Sequence, residues 1–319
     1  MPSPSTSPAP TQHLAAEFGR GYCVVPRLLD AGEIAALKSD VDELTAVDSR
    51  ASALGTGLSP RGRDRLSRLV RSPLLHQLPS ERPRAHEFHA IGELIWNPRV
   101  LGVLDQLMEH WRPRAEWSLA DATPPALDVP DNPERHRYVF HHINAARHDE
   151  GTAGLPWHHD YDQYPQTNRS HLMVHVLFYL NGLNGSVGDL LLAPGTQWSV
   201  AGKRALWRFG WEPLPGSEVI DDLPPGSAVF MQSSMFHARV PKPGGGGEPR
   251  YFLDASYCQR GIRWPNGYGG SQRSLRRRHL AAGGDRAWLF DEDCFFDSVA
   301  AHNTAESAQG SLLAPAASA

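Results

Sequence analysis

His158 and Asp160, separated by one residue in Trp157-His158-His159-Asp160, are the first pair whose types and spacing suit chemistry. Alternate side chains of an extended strand share a face. His158 and Asp160 would then point one way and His159 the other. Two ligands on one strand fix one edge of a metal's coordination shell, and a third must come from a neighbouring strand. His237, in Met235-Phe236-His237-Ala238 just beyond an apolar run, is well placed to supply it. Two imidazoles and one carboxylate leave three adjacent positions open, the donor set of non-haem Fe(II) oxygenases. With 16 histidines in 319 residues, an H-x-D triplet alone is a weak signal, so the argument rests on its surroundings.

Open metal positions call for a co-substrate. If that is 2-oxoglutarate, its far carboxylate needs a fixed cation, and the arginine fork suits a carboxylate. Arg250 follows the Gly/Pro-rich stretch 241–249 and opens a strand-like run at 251–257, so a hairpin can return it beside the metal. A surface arginine beside a turn is the competing reading. Arg239 lies nearer His237 but just before Pro241, and is the poorer candidate. His148-Asp149-Glu150 offers an H-x-E pair in a Gly-bearing loop and ranks below H-x-D.

These residues need elements to hold them. Asp30 stands three residues before Glu33, the spacing of a capping box. Ile34, Leu37, Val41 and Leu44 then follow at helical spacing, which predicts a helix over 31–44. A second helix is expected over 98–109, burying Val100, Val103, Leu104 and Leu107. Strand-like runs lie at 21–26, 138–143, 171–180, 188–193, 227–231 and 251–257, separated by Gly/Pro turns. Short strands in that pattern read as a sandwich or barrel, with the earlier helices packed outside. Residues 49–85 read as loop, with a short helix near 63–70, and are a candidate lid. The expected plan is a single domain over 13–302, with a helical part to about 112 and a strand core over about 137–260. The Pro/Ser/Ala-rich ends, 1–12 and 303–319, are expected to be disordered tails.

Composition narrows the partners. The net charge of −4 argues against nucleic acid, which favours a clustered basic face. The run Arg273, Arg276, Arg277 and Arg278 reads as a solvated surface beside a helix. Cys23, Cys258 and Cys294 are odd in number and form no CxxC pair, so they read as small buried hydrophobes. No apolar stretch is long enough to cross a bilayer and no signal peptide is visible, so a cytoplasmic location and no membrane partner are expected.

Five segments recur in a telling order: a Gly-Tyr-x-Val strand with a capped helix across 18–44, Trp157-His-His-Asp160, Gly188-Asp-Leu-Leu-Leu-Ala-Pro-Gly-Thr196, Pro225-Gly-Ser-Ala-Val-Phe-Met231 leading to His237, and Glu248-Pro-Arg250-Tyr-Phe-Leu253. Together they resemble the phytanoyl-CoA dioxygenase family of Fe(II)/2-oxoglutarate enzymes, across about 18–257. The resemblance implies a mainly β fold with peripheral helices and a double-stranded β-helix (jelly-roll) core. It implies that His158, Asp160 and His237 hold Fe(II), and that Arg250 pairs with the distal carboxylate of 2-oxoglutarate. Asn144, in an Ile-Asn-Ala like that of the ectoine hydroxylase branch, would bond the co-substrate; a strand-end Asn bonding its own backbone is the alternative. Two departures stand out: Pro-Gly-Thr-Gln197 replaces the common Pro-Gly-Ser-His, and the His237 to Arg250 spacing is slightly long.

The implied chemistry consumes 2-oxoglutarate and O2, releases succinate and CO2, and oxidises a C–H bond of a small-molecule metabolite. Hydroxylation is the default, with desaturation, epoxidation or cyclisation as variants. Related halogenases carry Gly or Ala where Asp160 stands, so halogenation is not expected. Trp157, His159, Tyr161, Tyr164 and Trp264 are candidates to line the substrate pocket. The alternative is a cupin-type jelly-roll metal enzyme, a hydrolase or isomerase without 2-oxoglutarate; a non-catalytic binding module is a third class.

Overall fold

The computed structural model describes residues 10–54, 84–110, 138–161, 171–199, 201–242, 248–265 and 272–296. The chain opens with helix α1 (Pro10–Phe18), strand β1 (Tyr22–Val25) and helix α2 (Ala31–Leu54). α1 starts inside the stretch expected to be a tail. Proline suits the first helical position because its missing N–H needs no partner there, and Leu14 packs against the core. The capping box of α2 is formed: Glu33 N–H donates to Asp30 Oδ1 at 2.9 Å and Asp30 N–H to Glu33 Oε2 at 2.8 Å. The helix runs ten residues past the expected end at 44, because 45–54 hold no Gly or Pro to stop it. Helices α3 (His89–Leu94) and α4 (Pro98–His110) follow. Asn97 caps α4 by accepting from Arg99 N–H at 3.0 Å. The expected helix at 63–70 and most of the candidate lid lie outside the described residues.

Two antiparallel sheets make a jelly roll, and β5 (Leu183–Asn184) and β8 (Asp222–Leu223) form a separate short antiparallel pair. The larger has the order β1, β9 (Ser227–Gln232), β4 (Met173–Tyr179), β11 (Arg250–Gln259) and β2 (Tyr138–His148). The smaller has the order β3 (Leu155–His158), β10 (His237–Arg239), β6 (Leu190–Leu192) and β7 (Glu218–Ile220). Strand β4 reads as continuously apolar because both of its faces are buried. Val174, Val176 and Phe178 point outward, with Phe230, Leu253 and Tyr257, onto Leu37, Val41 and Leu104 of the helices. Leu177 and Tyr179 point inward, with Val229 and Met231, onto Leu190 and Leu192 of the smaller sheet. Truncating one of the large outward residues, such as Phe230, would cost about 3–5 kcal/mol.

One irregularity matters for the site. Along β11 and β2 the register steps from Ser256↔His142 to Tyr257↔Phe140, leaving His141 as an extra residue, a β-bulge. Phe140 can thus pack outward against the helices while His142, two residues on, faces the interior.

Near the C-terminus, helix α5 (Gln272–Ala281) leaves Arg273, Arg276 and Arg277 exposed. Arg278 instead pairs with Glu93 at 3.1 Å and donates to His89 O at 2.7 Å, tying α5 to α3. All three cysteines are buried. Burial pushes the Cys23 thiol up to about 12 and Cys294 to about 11, which leaves them unreactive as nucleophiles. Among the described residues no helix is long and apolar enough to cross a membrane.

Candidate metal centre

Strands β3 and β10 are neighbours, and His237 stands directly opposite His158 in their register. Their imidazole centroids are 4.3 Å apart. Just past β3 the backbone is pinned to the turn before β10. Asp160 N–H donates to Ser233 O at 2.8 Å and Tyr161 N–H to the same oxygen at 3.0 Å. This brings the Asp160 carboxylate under both rings. Its Oδ1 lies 3.5 Å from His158 Nε2 and its Oδ2 3.3 Å from His237 Nε2. The triad expected from spacing is therefore brought together as one cluster.

The rings are held in one orientation from behind. His158 Nδ1–H donates to Pro156 O at 2.8 Å and His237 Nδ1–H to Met235 O at 3.2 Å. A carbonyl only accepts, so each Nδ1 carries a proton and each Nε2 is turned toward the carboxylate, the orientation of a metal-ligating histidine. Burial, then His237, pushes the His158 pKa down, which favours the neutral ligand form. Burial alone would raise the Asp160 pKa. The combined pull of His237, His158 and His175 outweighs it and holds the carboxyl well below its usual range.

A second polar cluster adjoins the first on the interior face of the larger sheet. His175 Nδ1 donates to Asp254 Oδ1 at 2.8 Å and lies 3.9 Å from Asp160 Oδ2. His142 meets His175 edge to face at 5.7 Å and bonds Ser256 Oγ at 2.8 Å. His142, His175 and Asp254 also have metal-compatible spacing. Burial depresses His175, but Asp254 overcomes it and the pKa is pushed up to about 9. These residues were missed in the sequence. The available signal was a charged or imidazole side chain at alternate positions of two otherwise apolar strands, His175 in β4 and Asp254 in β11.

Arg250 opens β11 on the same interior face as Phe252 and Asp254, and is 2% exposed. It donates to Gly188 O at 2.7 Å and to Tyr179 Oη at 3.4 Å, while its Nε has no partner. Its guanidinium lies over the Tyr179 and Phe252 rings at 5.1 and 5.2 Å. Among the described residues no carboxylate lies within ion-pair distance of it. Burial lowers its pKa. Arg239, the poorer candidate by sequence, lies alongside. It donates to the His148 ring at 3.0 Å, and His148 is the register partner of Arg250. Burial and Arg250 push Arg239 down to about 10. The interior thus has a strongly cationic end.

Asn144 is exposed and stands opposite Asp254 in register, so both side chains rise from the same face. The four remaining expected site residues do not converge on the triad. Trp157 and His159 take the opposite face of the strand. Trp157 packs with Leu191, Phe236 and Ala238, and His159 contacts Phe236 and Ala201 O. Tyr161 and Trp264 stack edge to face at 5.6 Å in a separate core with Val139 and Met173. Tyr164 lies outside the described residues. Gln197, at the departure from the common turn, is buried and donates to Gly19 O, so it secures the loop away from the triad. An aromatic that does meet the triad is Trp207, 6.3 Å from the His158 ring and not foreseen by sequence.

Comparison with known proteins supplies the context. The family model described as Phytanoyl-CoA dioxygenase (PhyH) matches residues 19–239. No curated protein sequence matches significantly. Among solved structures, the chain is similar to the non-heme alpha ketoglutarate dependent epimerase SnoN from nogalamycin biosynthesis, with 17% identity, a TM-score of 0.53, and 82% of this chain and 89% of that one covered. A complex of SnoN with Fe3+, alpha ketoglutarate and nogalamycin RO aligns with 17% identity, a TM-score of 0.52 and coverage of 85% and 90%. The non-heme alpha ketoglutarate dependent carbocyclase SnoK, from the same biosynthesis, aligns with 14% identity, a TM-score of 0.53 and coverage of 86% and 93%. At these identities the likeness is one of fold.

Proposed function

Since the chain belongs to the phytanoyl-CoA dioxygenase family, we propose that it is an Fe(II)/2-oxoglutarate-dependent oxygenase acting on a small molecule, with His158, Asp160 and His237 as the iron ligands. The donor set fits the ion: two imidazoles, each backed by a carbonyl, and one carboxylate held well below its usual pKa. A bound Fe(II) with 2-oxoglutarate and O2 supplies an oxidant that takes a hydrogen atom from a C–H bond, releasing succinate and CO2.

The observation that carries the co-substrate is Arg250, a buried cation with no carboxylate partner among the described residues. A charge in that position is costly unless paired, and the Nε left without a partner is a donor for an incoming anion. His237 and Arg239 are two residues apart on β10, about 7 Å at strand rise, and Arg239 meets His148, the register partner of Arg250. A five-carbon dicarboxylate spans such a distance, with one end on the metal and the other at the arginines. Asn144 is proposed as a further hydrogen-bonding contact to the co-substrate. A cupin-type metal hydrolase or isomerase would have no use for that buried arginine. Hydroxylation is the proposed outcome because it requires only the metal, the co-substrate and one C–H bond held nearby. SnoN and SnoK, described as an epimerase and a carbocyclase, mark other outcomes within the same fold.

The test is anaerobic titration of the metal-free protein with Fe(II) and 2-oxoglutarate, followed in the visible spectrum. A charge-transfer band that His237→Ala abolishes supports the reading. Tight binding of metal with no band and no 2-oxoglutarate affinity would refute it.

A further inference from the structure

The segment beside His158 is residues 201–214, which lie outside the regular sheets. Backbone bonds fix this segment along β3. His159 N–H donates to Lys203 O at 3.1 Å and Trp157 N–H to Gly210 O at 2.8 Å. The Trp157 indole N–H adds a bond to Glu212 O at 2.8 Å. The two outward residues of the motif are thus the anchors of this rim. Trp207, midway between the anchored points, meets His158 edge to face at 6.3 Å and 71°.

Trp207 is 36% exposed, and Phe209 and Trp211 beside it are 40% and 37% exposed. Burying side chains of this size against a core would contribute about 2–3 kcal/mol each, so three exposed aromatics clustered beside a metal-cluster histidine are a functional signal. Cations are interleaved with them. The Arg204 guanidinium lies over the Trp207 ring at 4.7 Å and that of Arg208 over Phe209 at 4.8 Å. Among the described residues no carboxylate lies within ion-pair distance of Arg204 or Arg208. An aromatic face and a cation with no carboxylate partner among the described residues, beside a proposed metal ligand, match a planar anion.

We propose that Trp207 and Arg204 form the substrate platform of the site, stacking a ring-bearing molecule whose anionic group is held by the guanidinium. The proposal rests on the oxygenase reading and deepens it by naming the substrate class: a flat ring system carrying a carboxylate or similar anion. Trp207 would set the distance of the ring from the His158 side of the metal, and Arg204 would select for charge.

The probe is 2-naphthoate, compared with its uncharged amide 2-naphthamide. Binding is read by quenching of tryptophan fluorescence, with and without anaerobic Fe(II) and 2-oxoglutarate. Line broadening of the probe protons by Fe(II) reports nearness to the metal. The expected result is tighter binding of the naphthoate than of the amide. Trp207→Ala should weaken the naphthoate about tenfold, the scale of a desolvated aromatic or cation–π contact. Arg204→Gln should weaken the naphthoate and leave the amide unchanged, and Trp211→Ala should change neither. Circular dichroism confirms that each variant is folded. No binding, no preference for charge, or equal affinity in Trp207→Ala would overturn the platform. Should Fe(II) fail to bind while the naphthoate still depends on Trp207 and Arg204, the oxygenase reading falls and the platform stands.

Discussion

Arg250→Met separates a structural arginine from one kept for a ligand. In the protein without 2-oxoglutarate the substitution removes two hydrogen bonds, to Gly188 O and Tyr179 Oη, worth about 1 kcal/mol each. It also removes contacts over two aromatic rings, together about 1–2 kcal/mol. Against this it relieves a guanidinium that is 2% exposed, whose desolvation costs several kcal/mol. The terms nearly cancel, so the variant should unfold within about 2 kcal/mol of the original protein; breaking a paired buried ion would cost about 3–5 kcal/mol. Binding of 2-oxoglutarate should behave differently. Losing a buried charge-assisted pair costs about 2–5 kcal/mol, at least a thirtyfold weakening at about 1.4 kcal/mol per tenfold. Calorimetry with Ni(II) in place of Fe(II) measures the affinity. Thermal unfolding gives an independent reading, because ligand at about 100 times its Kd stabilises by about 2.7 kcal/mol, a gain the variant should not show. A variant destabilised by the larger amount with an unchanged Kd would refute the reasoning and make Arg250 a scaffold residue.

Three further outcomes are expected. His158→Ala should abolish metal binding while leaving the fold intact, since strand pairing of β3 with β10 uses backbone groups; metal retained at the original stoichiometry would remove His158 from the ligand set. His148 is depressed to about 3 by burial, then by Arg239 and Arg250, below the roughly 6.5 expected when unfolded. The unfolded state therefore takes up the extra proton, and this group's stabilising contribution is lost as pH falls from about 6.5 toward about 3. His148→Gln should make the acid limb shallower by no more than about 1.4 kcal/mol per pH unit, less where solvent screens it; urea midpoints that differ equally at pH 7 and pH 5 would contradict this. Gly182 has a φ of +72°, and a Cβ there would sit 2.0 Å from Leu223 O. Gly182→Ala should lower the unfolding midpoint by well over the roughly 1 kcal/mol of a simple Gly-to-Ala strain, and an unchanged midpoint would show that the turn yields.

The parts of the site legible in the sequence are those that depend on a period. The two-residue alternation of β3 and the strand-length run before His237 were enough to bring His158, Asp160 and His237 into one proposed cluster, and the three have the geometry required. The helix pattern of α2 and α4 was equally readable in Leu37, Val41, Val100 and Leu104. Residues whose roles depend on register across strands were not legible. His142 faces the interior because of the bulge at His141, and a bulge leaves no mark in a local hydropathy pattern. His175 and Asp254 become partners because β4 and β11 are neighbours with a particular offset. Trp157 shows the opposite error. An aromatic beside a metal motif suggests a pocket wall, yet the alternation that turns His158 inward must turn Trp157 outward.

That outward turn ties the metal cluster to its rim. The motif Trp157-His158-His159-Asp160 is bound on both sides: its inward residues form the metal cluster, while its outward residues hold the rim through Lys203, Gly210 and Glu212. A shift of the rim therefore acts on β3 and hence on His158. The buried polar atoms left without partners among the described residues include Arg250 Nε and His175 Nε2. Both belong to inward-facing side chains of the larger sheet, Arg250 at the cationic end and His175 beside the triad. Buried polar groups are almost always satisfied in a folded protein. Two unsatisfied groups on this face, one at the proposed co-substrate carboxylate and one next to the metal cluster, support the proposal that this interior is the ligand chamber. The exposed indole of Trp207, beside His158, is then the side from which the proposed substrate would enter.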